Sequence, residues 1–242
     1  MNGSSIVRGS RLRSSMLWRV KYGGAVATGD VASGDAASIP VMATDRLVER
    51  IARCVTGLAL FGIGISLQIE SRLGNPPWDA FHQGVANQVG LGIGTVIILT
   101  GVALLVLFWI PLRQKPGLGT ILNALEIGLV ANFMLELIPM VDAMALRVAM
   151  LVGGILLVAL GSALYIGSGL GPGPRDGIMT GLAARGVKVR VARTGIEVTV
   201  LAIGWLLGGQ VGVGTVLFAL AIGPLVAPLL PRLSMRPKAQ QI

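Results

Sequence analysis

Two aspartates stand just after prolines in matched stretches of a largely apolar chain. Asp79 lies in Leu73-Gly-Asn-Pro-Pro-Trp-Asp-Ala-Phe-His-Gln-Gly84, and Asp176 in Leu170-Gly-Pro-Gly-Pro-Arg-Asp-Gly-Ile-Met-Thr-Gly181. The Leu-Gly pair, a proline (Pro77 and Pro174), the aspartate and a closing glycine keep register between the stretches. Proline stops one helix and is tolerated at the start of the next. Each carboxylate is therefore expected either to cap a half-helix or to line a pathway, one from each loop, and the two roles are compatible. Glu126 is the sharper signal, because it falls near the middle of an apolar stretch with Asn123 one turn earlier. An ionisable group at that depth costs roughly 2.5–3.5 kcal/mol on insertion scales, so it is expected to face a cavity as a binding or coupling acid, or else to be a protonated or paired structural acid. Glu197 has Arg193 four residues before it as its expected partner. The candidate substrate pathway is thus Pro77, Asp79, Asn123, Glu126, Pro174, Asp176 and Glu197.

No catalytic constellation accompanies these residues. The chain has one cysteine, Cys54, and one histidine, His82, which excludes an intrachain disulfide, a cysteine metal cluster and a multi-histidine site. Gly169-Leu-Gly-Pro-Gly173 only superficially resembles a phosphate loop: no Gly-Lys-Ser or Gly-Lys-Thr follows, and its prolines remove donors. There is no His-Glu-x-x-His pair and no Gly-x-Ser-x-Gly elbow. Neither an enzyme activity nor a cofactor or metal is expected. Cys54 is read as inert and His82 as structural.

The elements that must position these groups are apolar. The chain is 53% hydrophobic and 13% charged, with mean hydropathy +0.78. Soluble domains carry about 25% charged residues, so lipid is the expected solvent. The net charge of +9 sits in short runs between apolar segments, which argues for cytoplasmic loops and against nucleic acid. The pattern predicts an all-α transmembrane bundle of about six spans, near 47–69, 93–112, 118–138, 146–168, 191–207 and 215–230. Ala80 to Val89 is too short to cross and is expected to re-enter. Residues 1–44 are expected to be a disordered basic tail, with a start at Met42 as the alternative, and residues 233–242 a basic cytoplasmic tail.

The membrane domain, 45–232, divides into repeat one, 45–140, and repeat two, 144–232. With the loops aligned, Gly57 falls on Gly154, Gly64 on Gly161, Gly119-Thr120 on Gly214-Thr215, and Gly128 on Gly223. With the Arg46 end inside, Arg113 and Lys115, the cluster from Arg175 to Arg193, and Arg232 to Lys238 all fall inside. Only Arg72 and Arg147 fall outside. Three crossings per half then make the repeats inverted, a common transporter architecture whose site lies where the halves meet. Trp78 and Arg175 occupy matched positions; the expectation is an outer-interface anchor for the first and the inside bias for the second. Ala80-x-x-x-Gly84, Gly177-x-x-x-Gly181 and Gly204-x-x-x-Gly208 permit close helix packing.

The two loops, Ile110-Pro-Leu-Arg-Gln-Lys-Pro-Gly-Leu-Gly-Thr120 and Gly212-Val-Gly-Thr215 resemble the bacterial YczE family of integral membrane proteins, related to the YitT-type group. The resemblance covers about residues 46 to 232. It implies a bacterial inner-membrane protein and no settled substrate. The expected function is a transporter or permease-like protein for a small molecule or ion, multi-pass, with both termini cytoplasmic. The alternative is a membrane scaffold or accessory protein that transports nothing. Partners expected are the lipid bilayer and a second copy of the chain, and no nucleic acid.

Overall fold

The computed structural model describes residues 46–106 and 116–235, the side chain of Thr180 apart, and these form helices without strands. In order they are α1 Leu47–Ser71, α2 Pro77–Val89, α3 Ile93–Leu104, α4 Leu118–Leu137, α5 Met144–Gly167, α6 Pro174–Ala183, α7 Val189–Leu206 and α8 Val213–Leu233. α1, α4, α5 and α8 are long and apolar enough to cross a bilayer. α2 and α3 meet at 110° and together make a broken span or a re-entrant element. The protein is therefore an α-helical, multi-pass membrane protein with four or five candidate spans among the described residues. A helix, α7, covers the expected fifth span, but its 18 residues include Arg190, Arg193 and Glu197, which dilute its apolar character, and it is not among the candidate spans. Of the expected second span, only the part within α3 and Leu105-Val106 is described. Pro111, Arg113, Lys115, residues 1–45 and residues 236–242 lie outside the described residues.

The helix breaks follow from the loop residues. After α1 the backbone turns left-handed at Arg72 (φ 52) and again at Gly74 (φ 114). After α5 it does so at Gly169 (φ 71) and Gly171 (φ 125), the residues aligned with those two. Glycine adopts such angles without penalty, whereas arginine needs support. Arg72 has it: its Nη2 donates to Val141 O at 2.6 Å and to Asp142 Oδ1 at 2.8 Å. Pro77 and Pro174 then open α2 and α6 at the position where a missing N–H is harmless.

α1 and α5 form the centre and run antiparallel. Arg50, near the start of α1, donates to Ser168 O beyond the end of α5 at 2.7 Å. Arg147, near the start of α5, donates to Ser71 O at 2.7 Å and Arg72 O at 2.8 Å. Each guanidinium thus meets the carbonyl end of the other helix, where free acceptors and a negative dipole end attract it. Between these ends the backbones touch. A Cβ on Gly57 would lie 2.8 Å from Gly161 O, and one on Gly64 2.7 Å from Gly154 O. α4 packs on α1, α8 on α5, α3 along α4, and α2 across α7. The α2–α7 contact uses the small-residue pairs read in the sequence: a Cβ on Gly84 would meet Gly204 O at 2.5 Å. The corresponding helices are not packed alike throughout. Gly128 of α4 abuts Gly94 and Ile98 of α3, but a Cβ on the aligned Gly223 of α8 meets nothing within 4 Å.

Candidate functional site

Both proline loops are stitched to a distant helix start by the same set of hydrogen bonds. At the first loop, Gly214 N donates to Leu73 O at 2.8 Å and Thr215 Oγ1 donates to Asn75 O at 2.7 Å. At the second, Gly119 N donates to Leu170 O at 3.0 Å and Thr120 Oγ1 donates to Pro172 O at 2.7 Å. Each threonine hydroxyl also accepts the N–H of the glycine before its helix, Gly212 or Gly117, at 3.2 Å. Buried Ser71 and Ser168 play one further matched part, donating at 2.6 Å to Gln68 O and Tyr165 O. These bonds satisfy backbone groups that the broken helices leave open.

Held in this way, the starts of α2 and α6 meet at one cavity of about 350 Å³. Its wall contains aligned residues in pairs: Phe61 and Val158, Trp78 and Arg175, Asp79 and Asp176, Asn123 and Phe218, Ile127 and Ile222. The Arg175 guanidinium carbon sits 5.0 Å above the centre of the Trp78 ring, a cation–π contact. Its Nη2 lies 4.0 Å from Asp79 Oδ1. On the other side, Tyr165 Oη donates to Asp176 Oδ2 at 3.0 Å. Arg193 and Glu197 form the expected pair at 2.9 Å at the α7 edge. Behind Asp79, His82 is fully buried, with Nδ1 3.4 Å from Asp79 Oδ1 but without hydrogen-bond geometry.

Of the residues expected from sequence, the cavity gathers Pro77, Asp79, Asn123, Asp176 and Glu197. Pro174 opens α6 beside the wall and is not part of it. Glu126 is not in the wall either. α4 presents Asn123 and Ile127, four residues apart, to the cavity. Glu126 is turned about a quarter-turn from Ile127; it is half-buried, close enough to Cys54 to interact electrostatically, and makes no hydrogen bond or ion pair with another described residue. Asp79 is not an N-cap: Pro76 holds that position and Asp79 is the third residue of α2, without a capping bond. Trp78 is buried in the protein and stacked with Arg175, so it is not exposed as an interface anchor.

Several residues carry no expected bonding role from sequence. Arg50 and Arg147 are separated by the same shift as the two loops, which marks them as a pair. Thr120 and Thr215 stand in the aligned Gly-Thr turns, but only the folded contact reveals what their hydroxyls bond. Tyr165 aligns with Gln68 and has no signal in the sequence.

The family model for a family of unknown function, DUF6198, matches residues 48–230. An uncharacterised protein of Haemophilus influenzae is 41% identical over 170 residues, 70% of this chain and 78% of that protein. The uncharacterised membrane protein YczE of Bacillus subtilis is 33% identical over 188 residues, 77% of this chain and 87% of that protein. A second B. subtilis protein, the uncharacterised YyaS, is 28% identical over 181 residues, 72% of this chain and 89% of that protein. No solved structure matches.

Proposed function

We propose a function from the premise that this chain belongs to the YczE-like family of membrane proteins, the family of unknown function DUF6198. It acts as a transporter or permease-like protein built from two inverted repeats of about three crossings each, in the bacterial inner membrane with both termini cytoplasmic. One observation carries the proposal: aligned residues from both halves line a single cavity, and the proline-opened ends of α2 and α6 reach it together. The antiparallel α1–α5 pair supports inversion, because Arg50 and Arg147 make the same bond in opposite directions. Orientation draws support from the bonding of Arg72 and Arg147. The two basic residues on the outer side are both engaged in holding helix ends.

The test compares solute uptake in cells that have the protein, lack it, or carry Asp79→Asn with Asp176→Asn at equal membrane abundance. The transport reading expects at least one solute whose accumulation needs the protein and falls in the double variant. Identical profiles in all three overturn it. A second reading, a non-transporting scaffold, is favoured by Glu126, which stands outside the cavity at span depth. It expects a photo-crosslinker at position 126 to capture a protein helix, another copy included, and uptake to be indifferent to Asp79.

A further inference from the structure

The cavity wall is mixed in chemistry. Asp79, Asp176, Arg175 and Trp78 line it together with the apolar Phe61, Ile127, Val158, Phe218, Ile222 and Val226. A volume of about 350 Å³ is at the small end of the roughly 300–1,000 Å³ of ligand pockets, which limits the ligand to a metabolite.

Among the polar groups of the wall, hydrogen-bonding capacity is unequally spent. Asp176 is bonded by Tyr165, and Glu197 by Arg193. Asp79 is buried, with a side chain 3% exposed, and its Oδ1 makes no hydrogen bond: its polar neighbours are His82 Nδ1 at 3.4 Å and Arg175 Nη2 at 4.0 Å. A buried carboxylate oxygen without a donor is costly and is ordinarily matched by something. Arg175 is the complementary case. Its guanidinium rests on the Trp78 ring and comes no nearer than 4.0 Å to Asp79, so its donors are not committed there. The two opposite charges stand side by side without closing onto each other. The charge count is balanced: two aspartates face one arginine and the positive dipole ends of α2 and α6, each worth about half a charge. A ligand with a single net charge would upset that balance, whereas one carrying both signs would preserve it.

We infer that the cavity binds a small zwitterion with an apolar body, of the α-amino acid type. Its ammonium group donates to the Asp79 carboxylate, and its carboxylate accepts from the Arg175 guanidinium. Its side chain lies against Phe218, Ile222 and Val226. This rests on the transport reading only for its consequence, since binding is measurable without flux.

The full-length protein in lipid nanodiscs is tested with radiolabelled L-phenylalanine at equilibrium. Phenethylamine, which lacks the carboxylate, and 3-phenylpropionate, which lacks the ammonium, serve as competitors. Saturable binding is expected, displaced by unlabelled phenylalanine and by leucine, with both truncated compounds weaker by about 30-fold or more. Asp79→Asn should weaken phenylalanine about 30-fold and leave 3-phenylpropionate unchanged. Arg175→Gln should do the same for phenylalanine and leave phenethylamine unchanged. Either truncated compound binding as well as phenylalanine overturns the inference, as does absence of saturable binding to protein that unfolds cooperatively. A protein that alters uptake of some solute but fails this test loses the zwitterion and keeps the transport reading; one that passes it but moves nothing loses transport alone.

Discussion

At the first proline loop, Gln68 Oε1, Asn75 Oδ1, Asp79 Oδ1 and both ring nitrogens of His82 are buried without hydrogen bonds. At the second loop the aligned residues are Tyr165, Pro172, Asp176 and Met179, and the tyrosine bonds the aspartate directly. Yet the backbones of the two loops are pinned by the same four kinds of bond, with lengths that agree within a few tenths of an ångström. What the two loops share is their backbone bonding. The side chains facing inward have diverged, leaving one loop with unspent polar capacity and the other with it consumed. Buried polar atoms without partners are uncommon in folded proteins, and among the described residues several of them gather at the first loop.

The comparison can be broken most severely at the α1–α5 contact. Gly64→Leu places a large side chain against Gly154 O and Val158 and should cost about 3 kcal/mol or prevent folding. Gly154→Leu should behave alike, since it meets the same contact from the other side. Thermal unfolding in detergent reads both, and full tolerance of either denies the close antiparallel approach. Next come the arginines. Arg50→Met leaves Ser168 O bare in the interior and should cost about 2 kcal/mol. Arg147→Met, at a partly exposed site, should cost less in the same measurement. Smaller again, Thr120→Val and Thr215→Val should each cost about 1 kcal/mol, and by similar amounts if the stitches are equivalent. A large inequality would mean that one loop is held by other means. The smallest effect sharpens the comparison between the last helices. Gly223→Ala should be neutral or stabilising by about 0.5–1 kcal/mol, while Gly128→Ala is destabilising, because only Gly128 has a neighbouring helix against it.

Much of this arrangement was legible in the chain. The apolar runs and proline breaks mark the helices closely: the span expected at 47–69 is α1 at Leu47–Ser71. The fixed shift that aligns Asp79 with Asp176 also aligns Trp78 with Arg175, and those two touch. Their contact was not legible, because alignment says which residues correspond and not which ones meet. Correspondence becomes contact only where the two halves face each other. Glu126 illustrates a different limit. Its depth in an apolar helix is readable, but a helix turns 100° per residue, so a neighbour three positions from Asn123 can leave the wall that Ile127 joins. The roles of Arg50 and Arg147 were hidden for a third reason. Basic residues near helix starts are read as topology signals, whereas these bond carbonyls of a helix more than 70 residues away.

The central claim is that the two halves lie in opposite senses across the bilayer, so the α2–α3 and α6–α7 turns emerge on opposite faces. Val89 and Val187 are exposed at those turns, and Cys54 is fully buried and silent to reagent. Single cysteines at Val89→Cys and Val187→Cys, labelled with a membrane-impermeant maleimide in intact cells and again after permeabilisation, read the two faces. The account predicts that Val89→Cys labels in intact cells and Val187→Cys only after permeabilisation. Labelling of both from the same side would contradict it.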